Sequence, residues 1–398
     1  MPARILWISA APWTNTGYGI QTRYIVKALK DAGLDIILST YHLRGGPIDY
    51  DGYTVLPMPL DNSTSAIQPI INWYKKTKRN LVITLIDVWV LPGLGKWVNW
   101  VPYTPVDAPL DEYTIEINQP LQTAKAVITF SKFGKQQVEK VVKDKKVYMI
   151  YHGIDTKLFT PPSDENEKRK LRQMLGLPPD SFVFGFVGAN EGDRKDIPGL
   201  FKAFSIFLAN NKDTKDSVLI VWSGPRPAMG RSYDLVRLAK RYGIENKVIF
   251  PMEEPDYNMF YAYEFMPNIY KVMDWYVTAS SGEGFGLPIA EAMACGVPVI
   301  APNTSAQTEL VAGPPHTPRG ILVNPAWVRP TLWTPTHQEY SFVDPHDLAE
   351  TMAKAYNIGN NETYRKNARA FVEEVLSWGI IIPQWLNIIR DIEDELRL

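Results

Sequence analysis

The chain has one cysteine, Cys295, among 398 residues, so no intramolecular disulfide can form and a reducing, cytoplasmic setting is expected. Cys295 sits in an apolar helical stretch and reads as a small core residue, not a nucleophile. Histidine is scarce too, five in all, and no His/Cys spacing matches a metal site. No apolar run approaches the roughly 18–20 residues of a membrane span. The opening MPARILWISA lacks the long apolar core of a secretory leader and reads as a first strand. There are no repeats, no low-complexity tracts, no GKS or GKT phosphate loop and no G-x-S-x-G elbow. Neither charge sign dominates, since 42 Lys+Arg face 43 Asp+Glu, but the balance is uneven. Residues 1–160 carry 18 basic and 13 acidic side chains, and residues 161–398 carry 24 and 30. An anionic acceptor would meet the basic first half, where Lys75–Arg79 and Lys132–Lys146 are basic stretches.

What is present is an ordinary soluble composition, 45% hydrophobic and 21% charged, in a chain long enough for two domains. Its organising stretch is WYVTASSGEGFGLPIAEAMACGVPVIAP, residues 275–302. The β-branched and aromatic run WYVTAS reads as a buried strand, SGEGFG as a glycine loop, and LPIAEAMAC as a helix with Pro288 in its first turn. Gly296 ends that helix, and VPVIAP is the next strand. A glycine loop running into a helix N-terminus presents backbone N–H groups and the positive end of the helix dipole to an anion. Glu283 in the loop and Glu291 inside the helix add carboxylates suited to sugar hydroxyls. The combination points to a ligand carrying both phosphate and hydroxyls, such as a sugar nucleotide.

EGFGLPIAEAMACGVPVIAP resembles the signature of the family-four retaining glycosyltransferases, enzymes of the GT-B fold. Glu283 and Glu291 match that family's eight-residue glutamate spacing, and Gly284, Phe285 and Gly286 match its turn. The resemblance implies an α/β chain of two Rossmann-like, doubly wound domains facing across a cleft, with a C-terminal helix crossing back to the first. The expected boundaries are 1–160, completed by 380–398, for the acceptor-side domain, and 161–379 for the donor domain.

Taken in order, RILWISA, the helix IQTRYIVKALKDAG and LDIILST form a βαβ unit with a glycine loop at its first turn. Gly17 and Gly19 match the loop that the resembling enzymes place near donor phosphates and acceptor. NLVITLIDVWVL is a strand ending in Asp87 and Trp89, and WVNWVPYTPVDAPL runs into a proline-rich loop. That loop faces the acceptor in the resembling enzymes, so Asp107 is the candidate for positioning or partly deprotonating an acceptor hydroxyl. In HGIDTKLFTPP, which resembles the segment closing the first domain, His152 and Asp155 read as structural. The polar, proline-bounded 161–180 reads as an interdomain linker with a short helix. SFVFGFVGAN opens the second domain, and Arg194 and Lys195 follow in the loop before the next helix, placed to neutralise a diphosphate. The family's Arg stands just after the strand glycine, where this chain has Ala189 and Asn190, so Lys195 carries over better than Arg194. The loop after KVIFPM would meet the nucleotide base, making Met252 and Glu253 candidates. Residues 313–345 are proline-rich and irregular, with Trp327, Trp333 and Tyr340, and read as a flap or acceptor-side insertion or as packing on the second domain. SWGIIIPQWLNIIRDIEDELRL is a proline-kinked terminal helix.

These residues imply a retaining hexosyltransferase that takes a nucleoside diphosphate sugar, a UDP-sugar in expectation. Arg194, Lys195 and the N–H groups at Phe285–Leu287 meet the leaving diphosphate, Glu283 contacts the donor sugar, and Glu291 holds the ribose hydroxyls without filling any core. No metal cofactor is expected. Asp49 and Asp51 match the D-x-D pattern of metal-dependent sugar transferases but lie in a Gly/Pro loop, which reads as turn chemistry. A sugar-nucleotide epimerase and a non-catalytic nucleotide-sugar binder are the alternatives. The acceptor is open among a sugar, a lipid-linked sugar, a protein and a modified base in DNA.

Overall fold

The structure, a computed structural model, describes residues 2–58, 67–211, 214, 216–227, 232–251, 263–314, 316–331 and 334–396. It divides into two compact units. The first comprises Met1–Gly153, Pro335–His337 and Trp378–Leu398, and the second Ile154–Thr334 and Gln338–Ser377.

In the first unit, β1 (Arg4–Ser9), β2 (Asp35–Thr40), β3 (Ile48–Tyr50), β4 (Tyr53–Pro57), β5 (Leu81–Leu85), β6 (Trp100–Thr104), β7 (Val127–Thr129) and β8 (Val147–Met149) form one sheet. Its order is β3-β4-β2-β1-β5-β6-β7-β8, parallel except for the β3–β4 pair. β5 and β6 are buried along their whole length, which is why they read as continuous apolar runs and not as alternating ones. The first helix, Gly17–Asp31, starts where the Thr16 hydroxyl accepts a hydrogen bond from Gly19 N at 3.1 Å. The terminal helix, Trp378–Leu396, belongs to this unit. Trp385 packs edge-on against Trp7 and Tyr103, with centroids 5.5 and 4.9 Å apart, and Trp378 stacks on Tyr24 at 4.8 Å. Gly153 is fixed by that stack, because a Cβ there would lie 2.3 Å from the Trp378 ring. His152 is buried, hydrogen-bonded to the Tyr103 hydroxyl at 2.7 Å, and held neutral by burial, which lowers it to about 3. Asp49 lies on β3, and Asp51 (φ 49°) with Gly52 (φ 78°) makes the two-residue turn into β4.

The second unit carries β9 (Val183–Val187), β10 (Val218–Trp222), β11 (Val248–Ile249), β12 (Trp275–Val277), β13 (Val299–Pro302) and β14 (Gly320–Val323) in a parallel sheet of order β11-β10-β9-β12-β13-β14. The core of Phe184, Phe201, Phe204 and Phe207 fills the space under the helix Ile197–Asn210. Two expectations change here. The short helix expected in residues 161–180 is Glu165–Met174, and it is folded into this unit instead of serving as a linker. Lys168 and Arg172 are buried and meet Asp274, with Nζ 2.6 Å and Nη2 2.8 Å from its two oxygens, while Val183 N donates to it at 2.7 Å. Two of the segment's charges are thus buried and satisfied by one carboxylate, while Glu165, Arg169 and Lys170 stay exposed. Residues 313–345 are not irregular throughout either: they supply β14 and a hairpin of β15 (Trp327–Pro330) and β16 (Glu339–Phe342). Four-residue strands between prolines leave little periodicity to read, and their pairing comes from neighbours distant in sequence. Among the described residues, no helix is long and apolar enough to cross a membrane.

Candidate functional site

β9 and β12 are adjacent and parallel, so the loops leaving their carboxyl ends emerge side by side. They also flank the point where the strand order reverses, since β10 lies on one side of β9 and β12 on the other. Crevices at such switch points are where open α/β sheets bind ligands. The β9 loop holds Arg194 and Lys195, and the β12 loop holds Glu283, Gly284, Phe285 and Gly286. Gly286 caps the helix Leu287–Ala294 with φ 98°, a conformation that favours glycine, which sets the direction of the helix N-terminus.

Side chains from the two loops meet. Lys195 Nζ hydrogen-bonds Glu283 Oε1, and Arg194 Nη1 lies 3.2 Å from Oε2 and 2.8 Å from the Gly282 carbonyl. Glu283, 13% exposed, is pulled two ways: burial raises its carboxyl, but Lys195 and Arg194 outweigh burial and hold it at about 2. Two cations against one carboxylate leave an excess of positive charge. Backbone bonds lock the loops together, because Ser281 donates to the Arg194 carbonyl from its N at 2.8 Å and its hydroxyl at 3.0 Å. The Glu283 backbone is anchored separately, its N donating to the Ser305 hydroxyl at 2.9 Å. Asn190, where the family pattern has arginine, knits the β9 loop to the next one by donating to the carbonyls of Gly224 and Tyr233 at 2.9 and 2.7 Å.

Glu291 differs from its expected part. It is 5% exposed and accepts hydrogen bonds from the hydroxyls of Tyr263 at 2.8 Å and Tyr270 at 2.7 Å, so it does occupy a core. Burial raises its carboxyl to about 7 in spite of those bonds. Tyr263 and Tyr270 were not legible as its partners, because both lie more than 20 residues away and only the tertiary fold brings them in.

The remaining candidates lie elsewhere. Gly17, Gly19 and Asp107 are in the first unit. Gly17 and Gly19 open the helix after β1, and a Cβ on Gly19 would lie 2.2 Å from the Thr14 hydroxyl, so its absence permits the tight turn. The β1 and β5 loops flank that sheet's own switch point, where Tyr18 OH reaches Asp87 at 3.4 Å. Asp107 is half-buried in the loop after β6. Met252 and Glu253 fall outside the described residues, as does Trp333.

Residues 167–326, which contain both loops, match the sequence model described as glycosyl transferases group 1. The match covers 160 of the 398 residues. The chain is 31% identical over 193 residues to a D-inositol 3-phosphate glycosyltransferase of Jonesia denitrificans, covering 47% of this chain and 41% of that protein. It is 33% identical over 168 residues to the lipopolysaccharide core biosynthesis mannosyltransferase LpsB of Rhizobium meliloti, covering 42% and 43%. The alignments thus span about two fifths of the length of these relatives. Among solved structures, sucrose-phosphate synthase of Thermosynechococcus elongatus is similar with a TM-score of 0.76 at 21% identity, over 98% of each chain. Anabaena HepE in complex with UDP-glucose is similar with a TM-score of 0.71 at 17% identity, over 98% of this chain and all of that one. At these identities the likeness shows the fold, which is GT-B.

Proposed function

We propose that this protein transfers a glycosyl group from a nucleoside diphosphate sugar, a UDP-sugar, to an acceptor hydroxyl with retention of anomeric configuration. The observation that carries the reading is the convergence of Arg194 and Lys195 on Glu283 beside the N-terminus of Leu287–Ala294, at the switch point of the second sheet. The hard step is departure of the diphosphate, whose charge grows as the glycosidic bond breaks. Lys195, Arg194 and the helix N-terminus would stabilise that charge, and such preorganised groups contribute several kcal/mol (about 3–4 each in comparable sites) to a transition state. Glu283 keeps both cations in place and would direct its carboxylate to the donor sugar. Both of its oxygens are bound by cations, which supports departure and attack on one face without a covalent enzyme intermediate. Asp107 and the Gly17–Gly19 turn would serve the acceptor. No metal ion is required in this scheme, since the cations take the place of one.

The relatives support the substrate classes. Two of those named above are glycosyltransferases, one toward D-inositol 3-phosphate and one a mannosyltransferase, and HepE holds UDP-glucose in its structure. A sugar or cyclitol hydroxyl is accordingly the acceptor we favour. The test is to incubate the protein with UDP- and GDP-sugars and a panel of saccharide and inositol phosphate acceptors, and to determine the product linkage by NMR. A retained configuration is expected. An inverted product, or epimerised donor formed without acceptor, overturns the proposal.

A further inference from the structure

The hairpin of β15 and β16 is tied to the loop that carries Arg194 and Lys195, directly from β15 and through Ser281 of the β12 loop from β16. From β15, Arg329 Nη1 reaches Asp193 Oδ2 at 2.6 Å. From β16, Ser341 N donates to the Ser281 carbonyl at 3.1 Å, and Ser281 in turn holds the Arg194 carbonyl from its N at 2.8 Å. The two tethers bracket Arg194. The Arg329 guanidinium is itself pre-set, lying 4.1 Å above the ring of Phe342, its diagonal neighbour across the hairpin.

Charge makes the first tether consequential. Asp193 adjoins Arg194 in sequence, and its Oδ1 is buried with no hydrogen-bond partner among the described residues. Arg329 is the one cation forming a salt bridge with it among those residues. Unpaired, the Asp193 carboxylate would turn its charge on the neighbouring Arg194 and Lys195, which Glu283 already engages, and cancel the positive excess that a diphosphate needs. Paired, it is neutralised and the backbone entering Arg194 is fixed. We propose that Arg329 is a positioning residue of this site: through Asp193 it holds the cation loop and keeps the loop's charge available to the diphosphate of the donor. The inference rests on the functional reading above and deepens it.

The test measures binding of UDP, GDP and ADP by calorimetry, together with kcat and KM for the donor, in Arg329→Gln, Asp193→Asn, the double variant and Arg329→Lys. Arg329 is 46% exposed on its side chain, so the substitutions leave the fold standing, and thermal unfolding verifies this. Arg329→Gln is expected to weaken nucleoside diphosphate binding about five- to tenfold, the scale of losing a partly screened charge partner. Asp193→Asn is expected to bind at least as well as the native protein. The double variant should recover the affinity of Asp193→Asn, because the carboxylate that Arg329 neutralises is gone, and Arg329→Lys should recover part of the loss. A double variant as weak as Arg329→Gln would show that Arg329 acts on the ligand directly and overturn the proposal. Native-like binding by Arg329→Gln would overturn it too, while leaving the diphosphate site intact. If the native protein binds none of the three diphosphates, the reading of the site fails and the proposal with it.

Discussion

The carboxyl of Glu291 gives a test that needs no substrate. It is enclosed by the hydroxyls of Tyr263 and Tyr270 and raised from 4.5 to about 7 by burial. Below pH 4.5 the folded and unfolded chains both hold its proton. Between 4.5 and about 7 the unfolded chain has released the proton and the folded one keeps it, so stability falls as pH rises. Above about 7 both are ionised and the slope vanishes. At about 1.36 kcal/mol per pH, the full cost of carrying the charge is about 3 kcal/mol, most of which falls between pH 5 and 8. Glu283 does not confuse this window. Held at about 2, it contributes stability that is present above 4.5 and is lost progressively as pH falls from 4.5 through about 2. Glu291→Gln keeps the volume and mimics the protonated form, and a tyrosine hydroxyl can turn to accept from its amide. Urea unfolding of the native protein and this variant should therefore show the native protein losing about 2–3 kcal/mol relative to Gln between pH 5 and 8. Parallel pH profiles would refute the argument that the fold keeps this carboxyl protonated.

Other outcomes follow from the same residues. Lys195→Ala should lower kcat on the order of 100-fold with a smaller change in donor affinity, because diphosphate charge peaks as the bond breaks; a change in affinity alone contradicts that assignment. Transfer should persist in EDTA, and complete loss restored by manganese would return attention to Asp49 and Asp51, although both lie at the β3–β4 turn. Asp274→Ala strands the buried Lys168 and Arg172 and should cost about 3–5 kcal/mol in the second unit, measured by urea unfolding; a loss under 1 kcal/mol would mean that water meets the two cations.

The organising stretch was legible as strand, glycine loop, helix and strand because each part is specified locally. WYV is a short apolar run, Gly286 needs a left-handed backbone, Pro288 tolerates the first helical turn, and Gly296 stops the helix. Arg194 and Lys195 could be placed in the loop after β9 for the same reason. Their meeting with Glu283 could not, since it depends on β9 and β12 being neighbours across almost ninety residues of chain. What misled the sequence reading was polarity. The helix Glu165–Met174 looks solvated until Asp274 is placed beneath it, and Glu291 looks like a ligand-facing carboxylate until Tyr263 and Tyr270 close over it. Residues 327–342 look like irregular insertion until Arg329 finds Asp193 and Ser341 finds Ser281. By itself the sequence determined the order of elements and the residue types at the loop, because backbone conformation and apolar periodicity are local properties. Only the tertiary structure decided which charges are buried and paired, because desolvation and Coulomb energy depend on distances between segments that the sequence leaves far apart.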